Sequence, residues 1–144
     1  MPICQLCGRT CVKLEQSHLI PKLVYKRVKA HKHSRFRDLS NIKLLWQDGE
    51  KHEMLCKQCE EKFSKLETKF ANDFLDIYRR TDKIPAIDIN GGWLGNYITS
   101  VSWRILNDEI FRLNAFDDKD DRLIFESFES ILGHHLKANP IENI

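Results

Sequence analysis

With 144 residues, 42% hydrophobic and 31% charged, the chain is sized for one domain or two small lobes sharing a core, and a second large domain is excluded. No apolar run approaches the ~20 residues of a membrane span, and the start, MPICQLCGRTC, lacks the features of a secretory signal, so the expectation is a cytoplasmic protein. A net charge of +2 hides a division, because residues 1–69 carry 15 Lys and Arg against 8 Asp and Glu, whereas residues 70–144 carry 8 against 13.

The chain opens on a knuckle, CQLC (Cys4, Cys7), and the same spacing returns as CKQC (Cys56, Cys59) after 48 intervening residues. Two such pairs supply four thiolates, the donor set of a closed, tetrahedral structural zinc site. An odd total of five cysteines argues against a disulfide framework, and a redox motif needs a single pair. Cys11 is left over as a spare thiol, since the tetrahedron is complete without it.

After the first knuckle, VKLEQSHLI predicts a short strand or turn segment leading into Pro21. His18 ends it. On the residues alone, His18 is either a general base or a support that hydrogen-bonds a backbone carbonyl beside the zinc site. Pro21 suits a helix start, and PKLVYKRVKAH reads as a short basic helix. It belongs to a stretch, residues 22–37, with seven cations and no acid: Lys22, Lys26, Arg27, Lys29, Lys32, Arg35 and Arg37. These can neutralise phosphates, with Tyr25 and Phe36 available for stacking or packing, and nothing among them reads a base sequence. The partner expected is nucleic acid, DNA in the first instance.

NIKLLW and EKHEML flank QDG, where Asp48-Gly49 offers the positive φ of a tight turn, which predicts a two-stranded hairpin running into Cys56. From Lys57, the apolar residues Phe63, Leu66, Phe70, Phe74 and Ile77 recur at helical spacing, predicting a long helix that ends near Arg80. Pro85 and Gly91-Gly92 mark a connector. Beyond it, two helices are expected. In the first, apolar residues at 94, 97, 98, 101, 105, 106 and 110 suggest burial on more than one side. The second opens on capping aspartates and sets Ile124, Phe128, Ile131 and Leu132 on one face. The resulting fold class is small α+β: a zinc domain over residues 1–80, then an acidic helical lobe over 81–144 with no closing element after NPIENI. Residues 93–138 are the expected surface for a homodimer or a protein partner.

Knuckle, strand, hairpin, knuckle and helix is the order of a treble-clef zinc finger. With CQLC, SHLIPK, LCKQCE and the helix that follows, residues 4–70 resemble the HNH endonuclease superfamily in its zinc-containing, ββα-metal form. That resemblance implies hydrolysis of phosphodiester bonds with a divalent cation, Mg²⁺ or Mn²⁺, and a setting such as restriction, recombination or phage defence. It assigns the general base to His18. It assigns the metal to Ser17 and Glu60, with Glu61 or Glu53 nearby as helpers, although the family usually carries an acid where Ser17 stands. On this reading His18 and Glu60 should lie close enough to share a metal-bound water. The same residues also suit a zinc-finger module that binds nucleic acid without cutting it, and the acidic lobe suits a protein-interaction role.

Overall fold

The computed structural model describes residues 1–28, 35–37, 41–46, 49–88 and 90–139. Within them lie the strands β1 (Glu15–His18), β2 (Phe36–Arg37), β3 (Leu45–Trp46) and β4 (Lys51–Leu55), and the helices α1 (Lys22–Val28), α2 (Lys57–Phe70), α3 (Asp76–Thr81), α4 (Trp93–Asn107) and α5 (Lys119–Ala138). A π-helical segment, Ala71–Leu75, joins α2 to α3, and another, Asp108–Arg112, extends α4. The class is a small α+β fold, and among the described residues no helix is long and apolar enough to cross a membrane.

The strands form two antiparallel pairs, β1 with β4 and β2 with β3. The predicted hairpin therefore exchanges partners: the segment before the turn pairs backwards with β2, and the segment after it pairs with β1, Ser17 opposite His52 and His18 opposite Lys51. The physical reason is burial. Met54 and Leu55 are buried beside the cysteines, and β1 brings the buried Ser17 to the same layer, whereas Leu44 and Leu45 stay exposed. The turn glycine behaves as expected, with Gly49 at φ +90. A side chain there would collide with the Tyr25 ring, so only glycine lets α1 approach. Asp48 lies outside the described residues.

The long amphipathic helix is present as α2, the π-helical segment and α3, ending at Thr81. Phe63 and Leu66 are buried, and Phe70 stacks on both Phe74 and Tyr97 of α4. One core runs from the zinc domain into the helical lobe, where Cys4, Leu55, Phe63, Trp103 and Leu136 belong to a single buried cluster. The start of α5 is capped by Asp118, which accepts from the amides of Asp120 and Asp121.

One expectation about the lobe is corrected, and the orientation of its last helix is settled. In α4 the inward residues are Trp93, Asn96, Tyr97, Ser100, Trp103, Arg104 and Asn107, and Ile98 and Ile105 are exposed. In α5 the inward residues are Gly133 and Leu136, while Ile124, Phe128 and Ile131 point to solvent. Packing overrides periodicity here because the Trp103 indole fits against Gly133, where a Cβ would come within 3.1 Å of its Nε1. Trp103 also donates to Glu129 at 2.6 Å.

Candidate metal centre

The two knuckles converge. In the first, the Gly8 amide donates to the Cys4 carbonyl and the Cys4 amide to Arg9, with Gly8 at φ +72, folding Cys4 and Cys7 into one tight turn. The Gln5 amide donates to the Met54 carbonyl at 3.0 Å, which ties this turn to β4. In the second, Cys56 is the extended N-cap of α2, and Cys59 lies in its first turn. The partial positive charge of that helix start favours thiolates there.

The four sulfurs of Cys4, Cys7, Cys56 and Cys59 all lie within 4.8 Å of one another, and Cys7 Sγ is 3.8 Å from Cys56 Sγ. With a Zn–S bond of about 2.3 Å, the edge of an ideal tetrahedron is about 3.8 Å. The donor set and its spacing thus fit zinc, with these four cysteines as ligands. In the metal-free state the thiols share protons unequally. A hydrogen bond from Cys59 pulls Cys4 down to about 4, and the same bond pushes Cys59 well above the usual thiol range. Cys11 stands apart from the quartet, its thiol donating to the Arg9 carbonyl at 3.3 Å.

The chain runs directly from this quartet into the residues assigned to a divalent cation. Ser17 Oγ donates to Glu60 Oε2 at 2.5 Å across 43 residues of sequence, and Ser17 is 0% exposed. Burial raises the Glu60 carboxyl above the usual carboxylate range, against the Ser17 hydrogen bond and the charge of Arg104, which lower it. A carboxyl raised by folding adds stability below its unfolded value and loses it as the pH rises through its folded value. The ionised form of Glu60 is therefore a net cost to the fold. Glu60→Gln in zinc-loaded protein is expected to melt above wild type at pH 7, by about 2–4 °C per kcal/mol relieved. The gap should narrow as the pH falls, and a variant melting below wild type at pH 7 contradicts this account.

The residue in hydrogen-bond contact with Glu60 is thus Ser17. His18 follows as the last residue of β1, half-buried, with its Nε2 atom buried. Its carbonyl accepts from Arg104 Nη1 at 2.8 Å. Glu61 is exposed and pairs with Lys57, and Glu53 is exposed on β4, opposite Gln16. Of the basic stretch, Lys22 and Lys26 are exposed on α1, and Arg35 and Arg37 are exposed near β2, where Arg37 donates to the Ile42 carbonyl. Arg27 lies on α1, but its side chain, together with Lys29, Lys32 and the Phe36 ring, lies outside the described residues.

Sequence reasoning missed a polar ladder that joins the lobe to the strands. Arg104 is fully buried and donates to Glu67 Oε1 at 2.7 Å, to the His18 carbonyl and to the Ser100 carbonyl, with its guanidinium 5.2 Å from the Phe63 ring centroid. Asp108 is clasped by Arg112, which also reaches Glu50, and Glu50 bonds His52 Nε2 at 2.8 Å. Glu50, His52 and Asp108 thereby approach one another at metal-ligand distances, with the Arg112 guanidinium as the cation among them. The signal was available as charges at 104, 108 and 112, spaced by four along one helical face. The chain matches no protein-family model, no curated protein and no solved structure.

Proposed function

We propose that the chain is a metal-dependent endonuclease of HNH type, built on a treble clef in which the four thiolates hold structural zinc. The observation that carries this reading is the contact between Ser17 and Glu60. The resemblance assigns positions 17 and 60 jointly to the catalytic cation, and they are side by side although one lies in β1 and the other in α2. Glu60 supplies a carboxylate to Mg²⁺ or Mn²⁺, which favour oxygen ligands, and Ser17 supplies a neutral oxygen. A cation held by these two residues would supply electrostatic stabilisation to the phosphate and the leaving oxygen. His18 takes the proton from the attacking water. The exposed Lys22, Lys26, Arg35 and Arg37 supply the charge that grips the backbone, which makes binding independent of base sequence and sensitive to salt.

One observation favours a second reading, a zinc module that binds nucleic acid without hydrolysing it. The Nε2 atom of His18 is buried and the Ser17 hydroxyl is committed to Glu60, whereas a general base must reach the proton it abstracts. Incubation of zinc-loaded protein with plasmid and with single-stranded DNA or RNA in Mg²⁺ or Mn²⁺ separates the two. Under the nuclease reading, wild type nicks or linearises the substrate, and His18→Ala and Glu60→Ala each lower the rate by about 100-fold or more. Salt-dependent binding with no cleavage under either metal supports the module instead. Absence of binding at low salt removes both.

A further inference from the structure

The apolar residues of α5 that fail to face the core have an order of their own. Ile124, Phe128 and Ile131 are 52%, 55% and 63% exposed. Together with Asp121 before them, they follow the alternating three- and four-residue spacing of a helix that packs along a second helix, while His135, next in that series, bonds Asn96 of α4 within the same copy. The pattern is self-complementary. Turned end for end about a point between Ser127 and Phe128, α5 sets Ile124 against Ile131 and Asp121 against His134. The first turn of α5 holds Asp120 and Asp121, and the last holds His135 and Lys137. An antiparallel pair therefore opposes an acidic end to a basic end at both ends, whereas a parallel pair would stack the aspartates of one copy on those of the other.

We propose that α5 is a homodimerisation helix, docking antiparallel on α5 of a second copy of this chain about a two-fold axis near Phe128. The occupant is a second copy because one helix carries both halves of the match, the central apolar stripe and the complementary ends, as an isologous interface requires. A helix of 20 residues is about 30 Å long, so the seam joins two complete copies while the zinc quartet and the Ser17–Glu60 contact remain within each copy. The inference holds whether or not the protein cleaves nucleic acid.

Sedimentation velocity of the zinc-loaded full chain from about 1 to 200 µM tests it. Wild type is expected to pass from monomer to dimer within that range. Phe128→Asp, at a position exposed in the monomer, should weaken the dimer by about 100-fold, and Asp120→Lys with Asp121→Lys by about 10-fold, each keeping the circular dichroism of wild type. Orientation is read by oxidative cross-linking. Ser127→Cys, beside the axis, should give a linked dimer, and His134→Cys, which faces Asp121 of the other copy, should not. If Phe128→Asp alters the spectrum, Ile124→Ser with Ile131→Ser replaces it. A wild type that stays monomeric at 200 µM, a dimer indifferent to these changes, or efficient linkage through His134→Cys overturns the proposal.

Discussion

Removal of zinc is expected to unfold the first half of the chain and loosen the second. The four thiols are joined to the core itself: Cys4 and Leu55 belong to the same buried cluster as Phe63, Trp103 and Leu136. Structural zinc in small domains supplies about 10–16 kcal/mol of apparent binding free energy, as much as the ~5–15 kcal/mol by which a whole domain is stable. Chelation should therefore abolish cooperative melting, and Cys56→Ser or Cys59→Ser should reproduce the effect with zinc present. A thiol reagent makes the count: zinc-loaded protein should expose one reactive thiol, Cys11, and chelated protein all five. Acid should act in the same direction. Zinc requires all four thiolates, while the metal-free state holds Cys59 protonated and Cys4 ionised. Binding must expel protons, and affinity should fall as the pH falls. Zinc content below one atom per chain with melting unchanged would refute this picture.

Replacing Arg104 is expected to be the most damaging single change outside the cysteines. The guanidinium is 0% exposed and joins three elements: Glu67 on α2, the His18 carbonyl at the end of β1, and Ser100 on its own helix. Breaking a buried pair by deleting one partner costs about 3–5 kcal/mol, because the other charge stays behind without compensation. Glu67 keeps partial access to water, which places Arg104→Met near about 3 kcal/mol and its melting temperature on the order of 10 °C below wild type. The companion Glu67→Gln keeps an amide oxygen that accepts from Arg104 but leaves that buried guanidinium without its countercharge, and should cost a similar amount. Hydrogen exchange locates the damage. The Leu19 amide, bonded to the Glu50 carbonyl, should exchange faster in Arg104→Met than in Glu67→Gln. Equal melting of Arg104→Met and wild type would show that the ladder contributes nothing to holding β1.

Much of the zinc domain was legible before any coordinates. The quartet followed from the repeated CxxC, the start of α2 from the apolar positions after Cys59, and the cap of α5 from the aspartates before Lys119. Each depends on residues near in sequence, where covalent geometry and one helical turn decide the contacts. The partner of β4 was misread, since a turn signal identifies a reversal without saying which strand lies alongside. Which face of α5 turns outward was not legible, for a related reason. Periodicity reports that an apolar stripe exists, but the contact between Trp103 and Gly133, 30 positions apart, chose a different face for the core.

The pair of Ser17 and Glu60 shows where the division falls. Sequence alone determined that a serine precedes the histidine, that a glutamate follows the last zinc cysteine, and that four thiols of zinc-binding type lie between and around them. Only the tertiary structure decided that Ser17 meets Glu60, because the pairing of β1 with β4 fixes the register that carries Ser17 into the buried layer beside α2. Arg104 belongs to the same class. Its charge in an apolar helix was visible in the sequence, but its role depends on Glu67 and on a carbonyl 86 residues away, brought within reach by packing.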